Sequence, residues 1–288
     1  MTPPGYVRSE TARGTWLVRN DVAGAVPARG LVALLSGAPG KAATPGRGRS
    51  DVVHLDFAGV MGVGKRARHG GLLGPILGGL YWGTGRGRRP IELARRLRGA
   101  GVPTPDVLAA GWRRIAGPLN AIALVTEAVP GACNLQEALL GDPPATRMRA
   151  LLHTAADTVR ALHEAGFVHA DLNLANLVLE DSAAGLLAHV VDLDRGRFVS
   201  PLTDRDRARN LSRLLRSHEK WVAGRSPLRA RDAIAFVARY ARGDRVMARD
   251  LLGRLRRYRS RLWWRRLFWN RRPWGGGARR LARPAQQR

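Results

Sequence analysis

The sequence predicts an α+β fold, and three observations carry that class. Short runs with strand character cluster in the first half of the chain: Val52–Phe57 (VVHLDF), Val60–Arg66 (VMGVGKR) and 121–129 (AIALVTEAV). Helical periodicity dominates the second half, over 147–165, 204–215 and 231–242. No internal repeat joins the two halves, so strands and helices are segregated rather than alternating.

The chain has 288 residues, 45% apolar and 25% charged, which suits one large globular domain or two small ones. Residues 1–46 mix apolar stretches with Gly and Pro and give no clear element, so 1–44 is read as an N-terminal extension. From Gly46 the pattern sharpens, with GRGR leading into the first strand and a Gly-containing turn into the second. A glycine-rich stretch, 70–79, precedes a helix whose Ile91, Leu93, Ala94 and Leu97 share one face and which ends at 99–101. Pro103 and Pro105 set a turn before 107–112. The apolar run 121–129 fits a buried strand closed by Pro130-Gly131, and Asn134 can cap a helix starting near Leu135. Leu151, Leu152, Ala155, Val159 and Leu162 make 147–165 an amphipathic helix that Gly166 stops. FVHADLNLANLVLE and LLAHVVDLDRGRF read as short strands with polar clusters at their ends, joined by a turn at 181–185.

Charge sets this chain apart: 49 Lys+Arg against 22 Asp+Glu, or +27. All the basic residues are arginines except Lys41, Lys65 and Lys220, so the choice of lysine at 65 is notable. Thirteen arginines and no acid fall in 251–288, a basic tail with its own electrostatic character. Cys133 is the single cysteine, which excludes a disulfide-stapled extracellular scaffold. MTPPGYVRSE has no apolar signal core, and no run reaches the ~18 apolar residues that span a bilayer. A cytoplasmic chain is expected.

The informative cluster is His169-x-Asp171 with Asn176 five residues on, followed by Asp192 at the end of an apolar run. Phosphoryl transfer from a nucleotide needs a carboxylate at the attacking hydroxyl and oxygen ligands for a divalent metal at the phosphates. Asp171, leaving a strand-like segment, can supply the first; Asn176 and Asp192 can supply the second. The plain alternative is that His169, Asp171 and Asn173 are loop polars that satisfy backbone groups.

VHADLNLANLVLE resembles the catalytic loop of protein-kinase-like folds, and VVDLDRGRF resembles their metal-binding aspartate segment. The forms D-L-N-x-x-N and D-x-D-R-G-R are more similar to the lipopolysaccharide-core sugar kinases, and most to 3-deoxy-D-manno-octulosonic acid (Kdo) kinase. RARHGGLLGPILGGLYW, GVPTPDVLAAG, LVTEAVPGACNL and RNLSRLLRSHEKW extend the likeness in order over about 45–222. The resemblance implies a two-lobed protein-kinase-like fold. A small antiparallel-sheet N-lobe would span 45–128, a mainly helical C-lobe 129–250 and the basic aromatic tail 251–288.

Carried onto these residues, the resemblance makes Asp171 the catalytic base and Asn176 and Asp192 the ligands of Mg²⁺. Lys65 would hold the ATP phosphates, with Glu92 as its ion-pair partner. Gly46 and Gly48 would let backbone amides approach the phosphates, and Glu127 and Val129 would meet adenine at the hinge. Arg66, beside Lys65, competes for the lysine's role, and Glu92 also reads as an ordinary exposed helix acid. The glycine loop, G-R-G-R-S-D, falls short of the full G-x-G-x-x-G, and Asp194 stands where protein kinases carry glycine, as a structural residue or a second metal neighbour. No A-P-E segment follows, which argues against a regulated protein kinase. Arg195 and Arg197 are candidate contacts for an acceptor carboxylate.

The implied reaction is ATP-dependent phosphorylation of a Kdo hydroxyl in the lipid A inner core, at the cytoplasmic face of the bacterial inner membrane. A kinase for a heptose or an aminoglycoside, or a catalytically silent kinase-like basic binding protein, are the alternatives. The segment 253–274 interleaves arginines with Tyr258, Trp263, Trp264, Phe268, Trp269 and Trp274. That mixture suits peripheral contact with an anionic membrane surface. Docking on the folded domain is the nearer rival; nucleic acid is the weaker one, and no obligatory protein partner is inferred.

Overall fold

The computed structural model describes residues 2–11, 13–36, 52–67, 79–183, 185–226 and 228–269, with the side chain of Arg86 and those beyond residue 262 excepted. The chain opens with a hairpin, β1 (Tyr6–Thr11) and β2 (Gly14–Arg19), then a 3-10 turn (Asn20–Ala25) and helix α1 (Ala28–Ser36). Strands β3 (Val52–Phe57), β4 (Val60–Arg66) and β5 (Leu80–Trp82) precede helix α2 (Gly85–Gly99). Strands β6 (Val107–Ala116) and β7 (Leu119–Glu127) follow. All pair antiparallel into one sheet in the order β1-β2-β6-β7-β4-β3, with β5 continuing the β4 side of β7.

Period-two alternation gives this sheet two apolar faces. Trp112 and Ile122 face α2, where Ile91, Ala94 and Leu97 are buried. Leu108, Ala123, Val125 and Phe57 face the other way and are covered by Leu31, Leu34 and Leu35 of α1. The N-terminal stretch is therefore not an extension. Strand β2 pairs with β6 from Thr15↔Trp112 to Val18↔Ala109, and α1 closes the outer layer. Its strand signal is weak because β1 is an edge strand whose Val7, Arg8 and Glu10 face solvent.

The second lobe begins with β8 (Cys133–Asn134) and α3 (Leu135–Leu140), which starts with a capping box. Asn134 accepts from the Glu137 amide at 3.0 Å, and Glu137 accepts from the Asn134 amide at 3.3 Å. Helix α4 (Ala145–Glu164) is the central pillar and buries Leu151, Ala155, Val159 and Leu162. The short β9 (Phe167–Val168) leads to the hairpin β10 (Leu177–Ser182) and β11 (Gly185–Val190), then β12 (Arg197–Phe198) returns to pair with β9. Helices α5 (Asp204–Trp221), α6 (Ala230–Ala241) and α7 (Arg245–Trp269) complete the lobe.

The expected boundary at 250/251 does not exist. Helix α7 runs through it with Leu251 fully buried, and Arg259 reaches Glu219 of α5 at 2.9 Å. The first part of the tail is thus docked on the C-lobe by its apolar side, which charge counting could not separate from its arginines.

A close approach in the sheet depends on glycine. Trp16 lies over Gly111, its register partner, and a Cβ there would sit 2.3 Å from the indole. Gly111→Ala is expected to destabilise the protein by about 1–3 kcal/mol, the usual range for overpacking a filled core. Urea unfolding checks it; an unshifted midpoint would show that the indole can move aside.

Candidate active site

The site is assembled on β9 and the two loops beside it. His169, directly after β9, is buried, and its Nδ1 accepts the Asp171 amide proton at 3.1 Å. That bond leaves the ring proton on Nε2, which donates to the Val191 carbonyl at 3.0 Å. Burial pushes the imidazole pKa below its ordinary value, so the ring stays neutral, although Val191 and nearby carboxylates favour the charged form. One side chain therefore ties the segment bearing Asp171 to the segment bearing Asp192.

Asn176 adds a second tie. Its side-chain amide donates to the Asp171 carbonyl at 2.8 Å, and its own carbonyl accepts from the Val191 amide at 3.0 Å. The tight loop that makes this possible is shaped by Asn173, whose side chain accepts from the amides of Ala175 and Asn176.

Beneath the loop lies a buried polar network. Asn210 of α5 clamps the His169 backbone, accepting its N–H at 3.1 Å and donating to its carbonyl at 2.9 Å. The same Asn210 oxygen lies 3.2 Å from His163 Nε2, and His163 Nδ1 lies 2.7 Å from the Tyr240 hydroxyl. Arg207 donates to that hydroxyl at 3.0 Å. Sequence reading missed Asn210, although a lone amide on the apolar face of Ala208, Leu211 and Leu214 was a usable signal.

Asp192 has left-handed backbone, φ 66° and ψ 48°. A non-glycine residue there carries strain on the order of 1–3 kcal/mol, the kind that collects at functional sites. The turn aims its carboxylate across the cleft to Lys65 Nζ of β4, at 2.5 Å. Desolvation opposes ionisation of Asp192, but the Lys65 ammonium outweighs it and holds the carboxyl below its ordinary range.

The expected Lys65–Glu92 pair is not formed: Lys65 binds Asp192, and Glu92 is exposed with no ion pair among the described residues. Helical geometry gives the reason. Pro90 and Ala94 of α2 line the cleft beside Lys65. At about 100° per residue, Glu92 lies on the opposite face. Helix α2 reaches the segment after Asp192 through arginines instead. Arg89 donates to the Gly196 carbonyl at 2.8 Å, and the Arg96 guanidinium stacks 3.7 Å from the Phe198 ring centre. Gly196 is needed here, since a Cβ would fall 2.1 Å from the Phe167 ring.

Two adjoining cavities share Lys65, Pro90, Leu124 and Asp192. The larger, about 390 Å³, has Val52, Val63 and Leu124 on the sheet side and Val178 and Val191 on the other. Glu127 and Val129 line its hinge end. The smaller, about 240 Å³, is lined by Asp171, Asp194, Arg195 and Tyr81 as well. Gly46 and Gly48 lie outside the described residues. A third cavity of about 160 Å³, among α3, α5, α6 and α7, is walled mostly by leucines and holds none of these groups.

The donor set fits a hard cation. Asn176 and Asp192 offer an amide and a carboxylate, the few protein oxygens that Mg²⁺ takes when phosphates and water complete its shell. Among the described residues no three His, Cys, Asp or Glu side chains group as a cation site of their own. The structure thus brings Lys65, Asp171, Asn176 and Asp192 together, leaves Glu92 outside and places Glu127 and Val129 at the far end of the same cleft.

The buried His163 makes stability depend on pH. Burial lowers its pKa to about 4, with the Asn210 bond opposing; an unfolded histidine titrates near ~6.5. Between these values the unfolded chain takes a proton that the folded chain refuses. Its contribution is complete above the unfolded value and is lost as pH falls towards 4, on the order of 3 kcal/mol. Urea midpoints measured from pH 7 to 4.5 are expected to fall, and less steeply in His163→Gln. An equal slope in both proteins would remove His163 as the cause.

Comparison with known proteins fits this geometry. The model of the lipopolysaccharide kinase (Kdo/WaaP) family matches residues 46–240. A 3-deoxy-D-manno-octulosonic acid kinase of Vibrio cholerae is 29% identical over 205 residues, 70% of this chain and 83% of its own. One of Xylella fastidiosa is 32% identical over 176 residues, 60% of this chain and 66% of its own. Among solved structures, WaaP in complex with acyl carrier protein matches with a TM-score of 0.54 and 25% identity, over 75% of this chain and 85% of that one. The matched residues run through both lobes, so the chain is a sugar kinase and belongs to the lipopolysaccharide kinase (Kdo/WaaP) family.

Proposed function

We propose that this kinase transfers the γ-phosphoryl group of ATP to a hydroxyl of Kdo in the lipid A inner core. The observation that carries the reading is the convergence of Asp171, Asp192 and Lys65 on two joined cavities, one apolar and one polar, with Asn176 bonded to the Asp171 carbonyl beside them. Nucleotide suits the apolar cavity, with Val52, Val63 and Val178 about the base and the hinge backbone of Glu127 and Val129 at its end. Mg²⁺, held by Asn176 and Asp192, would neutralise the phosphates. Lys65 lies at the junction and trades part of its pairing with Asp192 for phosphate oxygens.

Asp171 lines the polar cavity, so an acceptor hydroxyl there can give its proton to the carboxylate while its oxygen attacks phosphorus and ADP leaves. His169 acts on the Asp171 backbone rather than on the acceptor, since both its nitrogens are already bonded. Arg195, on the same wall, can face an acceptor carboxylate, the group that separates Kdo from a neutral heptose or a cationic aminoglycoside. Its curated relatives, named for Kdo, support that acceptor.

A lipid-linked acceptor calls for work at a membrane surface, at the cytoplasmic face of the bacterial inner membrane. No helix among the described residues is long and apolar enough to cross a membrane. The charge of +27 and the arginines of α7 support peripheral attraction to anionic lipid, to which the tryptophans of 263–274 add interfacial anchors.

The direct test is mass spectrometry of Kdo-linked lipid A after incubation with the protein and MgATP. One added phosphate on the Kdo ring is expected, and none on heptosylated core without accessible Kdo or on an aminoglycoside. Asp171→Ala should lower turnover by roughly 10² to 10⁴, the usual worth of a general base, while MgATP binding persists. Normal turnover in that variant would end the base assignment. Sedimentation with vesicles should show binding to anionic but not neutral lipid, weakening with salt; salt-independent binding would exclude an electrostatic anchor.

A further inference from the structure

Arg19 ends β2, in the hairpin that precedes the family-matched residues, yet it reaches the nucleotide hinge. Its guanidinium, 18% exposed, serves three carboxylates. Nη1 lies 2.8 Å from Glu127 and 3.2 Å from Asp106, while Nε and Nη2 bind Asp21 at 2.6 and 2.8 Å. The Tyr6 hydroxyl, from β1, donates to the Val107 carbonyl at 2.6 Å.

The two hinge carboxylates come from different strands. Asp106 immediately precedes β6 and accepts the Val107 amide through its other oxygen at 2.8 Å. Glu127 closes β7, and its amide donates to the Asp106 carbonyl at 2.8 Å. The next amide, of Ala128, donates to the Met61 carbonyl of β4 at 2.8 Å, so the chain is fastened on both sides as it leaves the sheet. Glu127 and Val129 line the apolar cavity at this point. Without a cation between them, Asp106 and Glu127 would repel where the backbone must hold its shape.

We propose that Arg19 is a positioning residue for the nucleotide, through which the N-terminal hairpin sets the hinge backbone against the base. The inference rests on reading the apolar cavity as the nucleotide site. Arg19 does not touch the phosphates or the acceptor side, where Asp171, Asn176 and Asp192 are held by the other lobe. Its loss therefore acts on nucleotide affinity more than on the chemical step. Lysine keeps the charge but cannot serve three carboxylates with a planar fork. Removing the charge of Asp106 should relieve the repulsion that loss of Arg19 exposes.

The experiment titrates the full-length protein with MgATP by following a fluorescent nucleotide, beside steady-state turnover and thermal melting. Arg19→Ala is expected to weaken nucleotide binding and raise its KM by roughly fivefold or more, the usual lower reach of coupling between sites. Turnover at saturating nucleotide should change less than about twofold, as expected for lost positioning of substrate alone. Arg19→Lys should fall between the two, and Asp106→Asn added to Arg19→Ala should recover part of the affinity. Wild-type binding with equal affinity in Arg19→Ala overturns the clamp. So does a parallel fall in turnover and melting temperature that neither Arg19→Lys nor Asp106→Asn corrects, because that is the mark of a purely structural residue. Failure of the wild type to bind MgATP overturns the cavity reading instead.

Discussion

A buried neutral imidazole ties the segment that bears Asp171 to the segment that bears Asp192. His169 receives the Asp171 amide proton on one nitrogen and gives its own to the Val191 carbonyl from the other. Protonation would break the first of these bonds, since a charged ring has no lone pair on Nδ1 to accept with. Burial, which lowers the pKa, is therefore part of the geometry and not incidental to it. The network below, from Asn210 through His163 to Tyr240 and Arg207, holds the ring's own backbone with groups that are all hydrogen-bonded. Fully satisfied buried networks of this kind rigidify what they carry.

The remaining alignment is between lobes, and arginine does most of it. Arg89 and Arg96 join α2 to the segment after Asp192, while within the sheet lobe Arg19 joins the first hairpin to the hinge. Guanidinium suits these tasks because its planar fork can bridge several oxygens or lie on a ring without losing charge. Lys65 does something different: its compact ammonium, at the end of a flexible stem, pairs with Asp192 across the cleft. The rarity of lysine in this chain has that chemical reading at position 65. Much of the positive charge is thus structural, and only part of it forms the field that an anionic surface would meet.

The C-terminal basic stretch has both characters. Helix α7 presses Leu251, Leu252 and Leu255 into the C-lobe core while Arg254 pairs with Asp250 on the exposed side at 2.6 Å. Its beginning belongs to the fold, and its continuation is rich in tryptophan and arginine in the sequence.

Local pattern was enough to determine β3, β4, the α4 helix, the Asn134 cap and the loop that carries His169, Asp171 and Asn176, because each is specified by residues adjacent in sequence. The kinase-like assignment followed from those motifs in their order. Pairing across the chain was beyond it. The edge strand β1 and its partner β2 owe their place to β6, and the side of α2 that meets Lys65 depends on how that helix packs. So the resemblance implied Glu92 as a partner, while the fold turned it to solvent and brought Asp192 to the lysine instead. Local sequence sets which residues a segment offers; which charges meet is decided only when distant segments pack and desolvate them together.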